Sequence, residues 1–193
     1  MPISLNKVNA EAYAKVAAAL EQNGKAAVEH ATGTGKSCIA WQLIADHPQA
    51  SFIWLVYGAA RLTLRREDVR RYNDGVLPEN LIFCDCSVLA EASAEEWVRL
   101  IFDCYHEVTA ACWAKSAQRL LRLCPEAKLL GLTVPNSTDQ KCQAAAELFE
   151  GTVVSRMTVG EGMALGTLPV PSNYAALLWP QEGQMNLLRA RIK

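Results

Sequence analysis

The 193 residues carry a net charge of −1, with 51% apolar and 20% charged side chains, the composition of an ordinary globular domain large enough to bury its own core. A near-neutral chain excludes binding to nucleic acid as a bulk polycation, so any such contact needs a local patch. No apolar run approaches the roughly 20 residues a membrane span requires, and seven cysteines without a CxxC pair read as reduced thiols of a cytoplasmic protein, not as a disulfide framework or a zinc site.

In chain order, "EAYAKVAAALEQNG" predicts a helix closed by Gly24, with Tyr13, Val16 and Leu20 on one face. "KAAVEH" predicts a short buried strand, and "SCIAWQLIAD" a second helix after a glycine-rich turn. "SFIWLVYG" is a near-continuous apolar run of strand length, as expected for a strand covered on both faces of a parallel sheet. "RLTLRREDVRRY" reads as a basic helix and "NLIFCDC" as a strand with Cys84 and Cys86 on one face. Ser93 and Glu96 make a capping-box pattern, "VRLIF" a strand delivering Asp103, and "TAACWAKSAQRLLRLC" a helix. "AKLLGLT" and "TVVSRM" predict further strands, with the helix "DQKCQAAAELFEG" between them. Thr158 and Glu161 repeat the capping box. Strands and helices alternate throughout, which predicts an α/β domain, a mostly parallel sheet with helices on both faces.

The stretch "EHATGTGKSCIAWQL" stands between a predicted strand and a predicted helix. Glycines there let the backbone wrap closely so that N–H groups face phosphate oxygens, and the helix N-terminus adds partial positive charge. His30, Ala31, Thr32, Gly33, Thr34, Gly35, Lys36 and Ser37 are the candidate ATP-binding residues. Lys36 is expected on the β- and γ-phosphates and Ser37 on Mg²⁺. The first glycine of the G-x-x-x-x-G-K-[ST] pattern is His30 here. A phosphate loop also calls for an acidic metal ligand at the end of a neighbouring strand, and Asp103 takes that place at the carboxyl edge of the predicted sheet.

With these motifs in this order, the chain resembles the N-terminal RecA-like, ATP-binding lobe of superfamily 2 (DExH-type) helicases over nearly its whole length. "AVEHATGTGKS" resembles their motif I, "FIWLVYGAARLTLRR" motif Ia, "LIFDCYHEV" motif II and "LLGLTVPNS" motif III; "NLIFCDCSVL", with Asp85 and Cys86, occupies the place of the Thr-Tyr motif. The resemblance implies ATP and Mg²⁺ as cofactors, DNA or RNA as partner, and a second RecA-like lobe in cis or in trans. It implies catalytic roles for Lys36, Asp103 and His106, a coupling role for Thr133, and nucleic-acid contacts near motif Ia, at Arg61, Arg65 and Arg66.

The departures set the expected activity. The family places a glutamate directly after the metal-binding Asp, where it activates the attacking water; here Cys104 stands there. Losing a general base typically costs about 10²- to 10⁴-fold. In motif III, Val134 and Pro135 replace an Ala-Thr pair, and Pro135 offers neither hydroxyl nor amide donor. A P-loop kinase or GTPase fits the "LLGLT" strand poorly, and no Asn-Lys-x-Asp base-recognition segment follows the loop. Two readings stand. One is an ATP-binding lobe of a nucleic-acid-dependent ATPase or helicase that is incomplete without the second lobe and its arginine finger. The other is a degenerate module that holds nucleotide or nucleic acid without turning it over. The basic run likewise reads two ways, as a phosphate-contacting patch or as a solvated helix face with ion pairs from Glu67 to Arg70 or Arg71. The expected organisation is a RecA-like lobe over 1–168 and a Pro-rich segment, 169–193, leading as a linker toward an absent second lobe.

Overall fold

The structure is a computed structural model that describes residues 4–56, 58–85, 99–103, 121–135 and 148–171. Expectations at Cys86, Cys104, His106, the Ser93 capping box, most of the two helices after Asp103, and 172–193 lie outside these residues.

Helix α1 (Lys7–Asn23) begins before the predicted Glu11, because Asn6 caps it: the Asn6 side-chain oxygen accepts from the Asn9 N–H at 2.8 Å. It ends where Gly24 turns left-handed at φ 69°, its N–H returning to the Leu20 carbonyl. Strand β1 (Lys25–His30) follows, then α2 (Lys36–Asp46), β2 (Phe52–Val56), α3 (Ala59–Tyr72) and β3 (Leu81–Asp85). Beyond them come β4 (Arg99–Asp103), β5 (Lys128–Thr133), β6 (Val153–Met157) and α4 (Val159–Ala164). The Thr158–Glu161 capping box opens α4 as the residue pattern predicts.

The described strands form one six-stranded sheet in the order β3-β2-β4-β5-β1-β6, and every pair is parallel. All six strands therefore end at one edge, which brings His30, Asp103 and Thr133 to it. Asp103 lies opposite Leu132 on β5, and Thr133 opposite Glu29 on β1. A bulge between Ala27 and Val28 shifts the register of β1 against the edge strand β6.

Alternation along β2 divides the core. Phe52, Trp54 and Val56 face the layer that carries α1, α2 and α3, where Val16, Leu20, Ile39, Leu43 and Val69 are buried. Ile53 and Leu55 face the opposite layer with Leu100, Phe102 and Leu129, covered there by Cys124 and Phe149. A fully buried side chain such as Ile39 or Leu43 stabilises the fold by about 1.5–3 kcal/mol. Both faces are covered along the inner strands, which explains why β2 and β5 read as unbroken apolar runs. At the amino edge, away from the loop, Glu21 pairs with Lys128 at 2.6 Å and with Arg99 at 3.9 Å.

Candidate nucleotide site at the carboxyl edge

The chain leaves β1 at His30, turns through residues 31–35 and enters α2 at Lys36. Gly33 and Gly35 hold φ of 87° and 81°, left-handed values that L side chains adopt at a cost of roughly 1–3 kcal/mol. Space is also short at both positions. A Cβ on Gly33 would lie 3.1 Å from the Leu168 side chain, and one on Gly35 would lie 3.0 Å from the Asn9 amide nitrogen.

The eight candidate loop residues divide by environment. His30, Ala31 and Thr34 are almost wholly buried and fasten the loop. The Thr34 hydroxyl donates to the Ala31 carbonyl at 2.7 Å, and Ala31 donates its N–H to the Met157 carbonyl at 2.9 Å. His30 Nε2 shares a 2.8 Å hydrogen bond with the Ser155 hydroxyl, while its Nδ1 has no partner among the described residues. Burial, and secondarily the positive charge of Lys36, push the His30 imidazole down to about 4, so it is neutral near pH 7. Thr32, Gly33, Gly35, Lys36 (itself buried, 7% exposed) and Ser37 line a cavity of about 290 Å³. Its far wall is Trp41, Trp54 and residues Arg65, Asp68 and Val69 of α3. A helix N-terminus with a lysine at its first position, opening into a partly apolar cavity, is suited to an anion such as a phosphate chain.

Asn9 on α1 is a part of the site that the apolar pattern does not reveal. It is 2% exposed, and its amide donates to the Thr34 carbonyl at 2.8 Å. Its signal in the sequence is a polar residue on the stripe it shares with Ala12, Val16 and Leu20, a core position where a polar side chain needs a specific partner.

Asp103 reaches the same edge as the loop and is 5% exposed. Its Oδ2 accepts from the Trp54 indole N–H at 3.3 Å and from Arg65 Nε. Arg65 Nη1 also pairs with Asp68 at 3.1 Å. Of the three arginines expected on nucleic-acid phosphates, Arg61 and Arg66 are exposed on α3, whereas Arg65 is turned into the cavity wall. Ser37 and Asp103 are hard oxygen donors of the kind a magnesium ion takes. In the arrangement described, one of the two Asp103 oxygens, Oδ2, already carries the guanidinium of Arg65. Thr133, 1% exposed, ends β5 in the middle of the edge.

Val134 and Pro135 line a separate hollow of about 500 Å³ with Ala31, Val159 and Leu168, on the other side of Thr32. No described helix is long and apolar enough to cross a membrane.

No protein-family model and no curated protein matches the chain, but solved structures do. The Pyrococcus furiosus Hef helicase domain matches with a TM-score of 0.60 at 20% identity, over 77% of this chain and 38% of its own length. The DUF1998 helicase MrfA, in a structure bound to DNA, matches with a TM-score of 0.59 at 12% identity, over 83% of this chain and 30% of its own. The chain thus spans well under half the length of either. Its fold is that of a helicase RecA-like domain, an α/β layer structure on a parallel sheet.

Proposed function

We propose that this chain is the nucleotide-binding lobe of a helicase-type, nucleic-acid-dependent ATPase, and that it holds ATP without hydrolysing it at an appreciable rate by itself. One observation carries the binding half: a strand-to-helix loop with two left-handed glycines opens with Lys36 and Ser37 onto a cavity of about 290 Å³ at the carboxyl edge of the sheet. Ligands of open α/β sheets bind at that edge. Backbone N–H groups, the helix dipole and Lys36 supply the positive field that a triphosphate needs. The indoles of Trp41 and Trp54 in the wall offer apolar surface to the rest of a nucleotide.

Two features favour a lobe that binds over one that turns over. Cys104 stands where the resembled family has its water-activating glutamate, and a thiol with a pKa near 8.5 is a poor base in that role. Asp103, the acidic partner of the loop, is occupied by Arg65. A second RecA-like lobe, in cis or in trans, would supply the arginine finger, and DNA or RNA would lie on the face that presents Arg61 and Arg66.

Titration of the protein with ATP by isothermal calorimetry, beside Lys36→Ala, tests the reading. Saturable one-to-one binding that falls at least about tenfold in the variant is expected from the loss of a charge-assisted phosphate contact. Equal binding by the two proteins, or none by either, sinks it.

A further inference from the structure

The side chain of Arg65 is the feature of the cavity that a phosphate loop does not require. It arises from α3, crosses to the sheet edge and places its Nε on Asp103, a carboxylate that is 3% exposed at the side chain. Asp68, three residues further along the same helix, holds the guanidinium from the other side at 3.1 Å. The Trp54 indole donates to the same Asp103 oxygen. That oxygen therefore has a cation and a second donor before any ligand arrives.

A divalent ion on Asp103 Oδ2 would have to displace this arrangement. Arg65 is tethered, so its effective concentration at Asp103 does not fall with dilution. Magnesium sheds its water reluctantly and demands near-octahedral oxygen geometry. A second cation beside an undisplaced guanidinium would meet like-charge repulsion that a partly buried site screens weakly.

We propose that Arg65 takes the place of the divalent ion in this site, so that the cavity binds a nucleoside triphosphate equally well with and without magnesium. Arg65 offsets the charge of Asp103, which would otherwise repel the phosphate chain. This rests on the nucleotide-binding reading and deepens it, by naming the metal-free form of the nucleotide as a ligand. The same substitution gives α3 a structural duty in the site, independent of any role on nucleic acid.

The test has two arms. In the first, ATP affinity is measured in excess Mg²⁺ and in EDTA. The wild type is expected to give the same affinity within about twofold. Arg65→Gln, which keeps much of the side chain's length but not its charge, is expected to open Asp103 to the metal and make binding at least about tenfold tighter in Mg²⁺ than in EDTA. Adding Asp103→Asn to that variant should abolish the difference. In the second arm, Mn²⁺ is titrated into nucleotide-free protein and followed by electron paramagnetic resonance. Arg65→Gln should bind Mn²⁺ at least about tenfold more tightly than the wild type, and the double variant should not. A wild type that needs Mg²⁺ tenfold or more, or an Arg65→Gln protein that binds Mn²⁺ no better than wild type, overturns the proposal. The wild-type ratio needs no variant, so it decides the matter even if Arg65→Gln fails to fold. If the wild type binds no ATP in either condition, the nucleotide reading falls and the Mn²⁺ arm alone decides the role of Arg65.

Discussion

Asn9→Ala is the substitution that separates holding the loop from holding the helix. The Asn9 amide is buried and donates to the Thr34 carbonyl at 2.8 Å, and Thr34 is itself 2% exposed. Alanine strands that carbonyl, at about 1–3 kcal/mol for a buried acceptor left without its donor. The loss is reduced because Asn9 Oδ1 is already unpartnered among the described residues, and its removal relieves that cost. A net destabilisation of about 1–2 kcal/mol follows. For a chain of this size that is a fall in Tm of roughly 2–8 °C. The loop beside it should loosen, because the Asn9 amide also stands where a Cβ on Gly35 would lie 3.0 Å away, and ATP affinity should drop several-fold. Asn6→Ala is the control. It removes the cap of α1, about 0.5–2 kcal/mol, without touching the loop, so Tm falls while affinity holds. Differential scanning fluorimetry and ATP titration on both variants read the two effects. If Asn9→Ala lowers Tm but leaves ATP affinity at the wild-type value, as Asn6→Ala does, Asn9 is only a buried helix residue and the reasoning is wrong.

Other expectations are equally direct. Gly35→Ala places a side chain at φ 81° and against Asn9, and should cost about 1–3 kcal/mol and reduce ATP binding; chemical denaturation beside an ATP titration measures both. His30, lowered from 6.5 to about 4 by burial and by Lys36, binds its proton more weakly in the folded than in the unfolded chain. Its contribution is therefore fully present above about pH 6.5 and is lost as pH falls toward 4, about 3 kcal/mol over that window at about 1.4 kcal/mol per pH unit. Urea denaturation across that window should show the slope, and His30→Gln should flatten it; identical slopes contradict the burial argument. Ser155→Ala removes the partner of His30 Nε2 and should destabilise the fold by about 1–3 kcal/mol, read by the same denaturation.

Much of the fold was legible because its determinants are local. "SFIWLVYG" and "AKLLGLT" are apolar throughout since β2 and β5 are buried on both faces, and Gly24 ends α1 because only a left-handed residue closes it there. The strand-loop-helix unit from β1 to α2 was legible for the same reason, its strand, glycines and helix being contiguous. What the residue pattern left open depends on the order β3-β2-β4-β5-β1-β6. That order sets Asp103 beside the end of β2, where Trp54 and the following helix reach it. A charge run such as "RLTLRRED" carries no mark of which arginine turns inward, and Arg65 does so because Asp68 and Asp103 flank it. His30 reads as a defect in a glycine pattern, and only the placement of Ser155, 125 residues away in sequence, gives it a partner.

The proposed function requires a loop that binds a nucleotide this chain does not hydrolyse. Release of labelled phosphate from ATP, followed on the wild type and Lys36→Ala with and without single-stranded DNA or RNA, at protein concentrations where calorimetry shows ATP bound, tests it most directly. Bound ATP is expected, with no release above the Lys36→Ala background under any of these conditions. Phosphate release by the wild type that disappears in Lys36→Ala would contradict it, showing turnover despite Cys104 in the place of the resembled family's glutamate and Arg65 on Asp103.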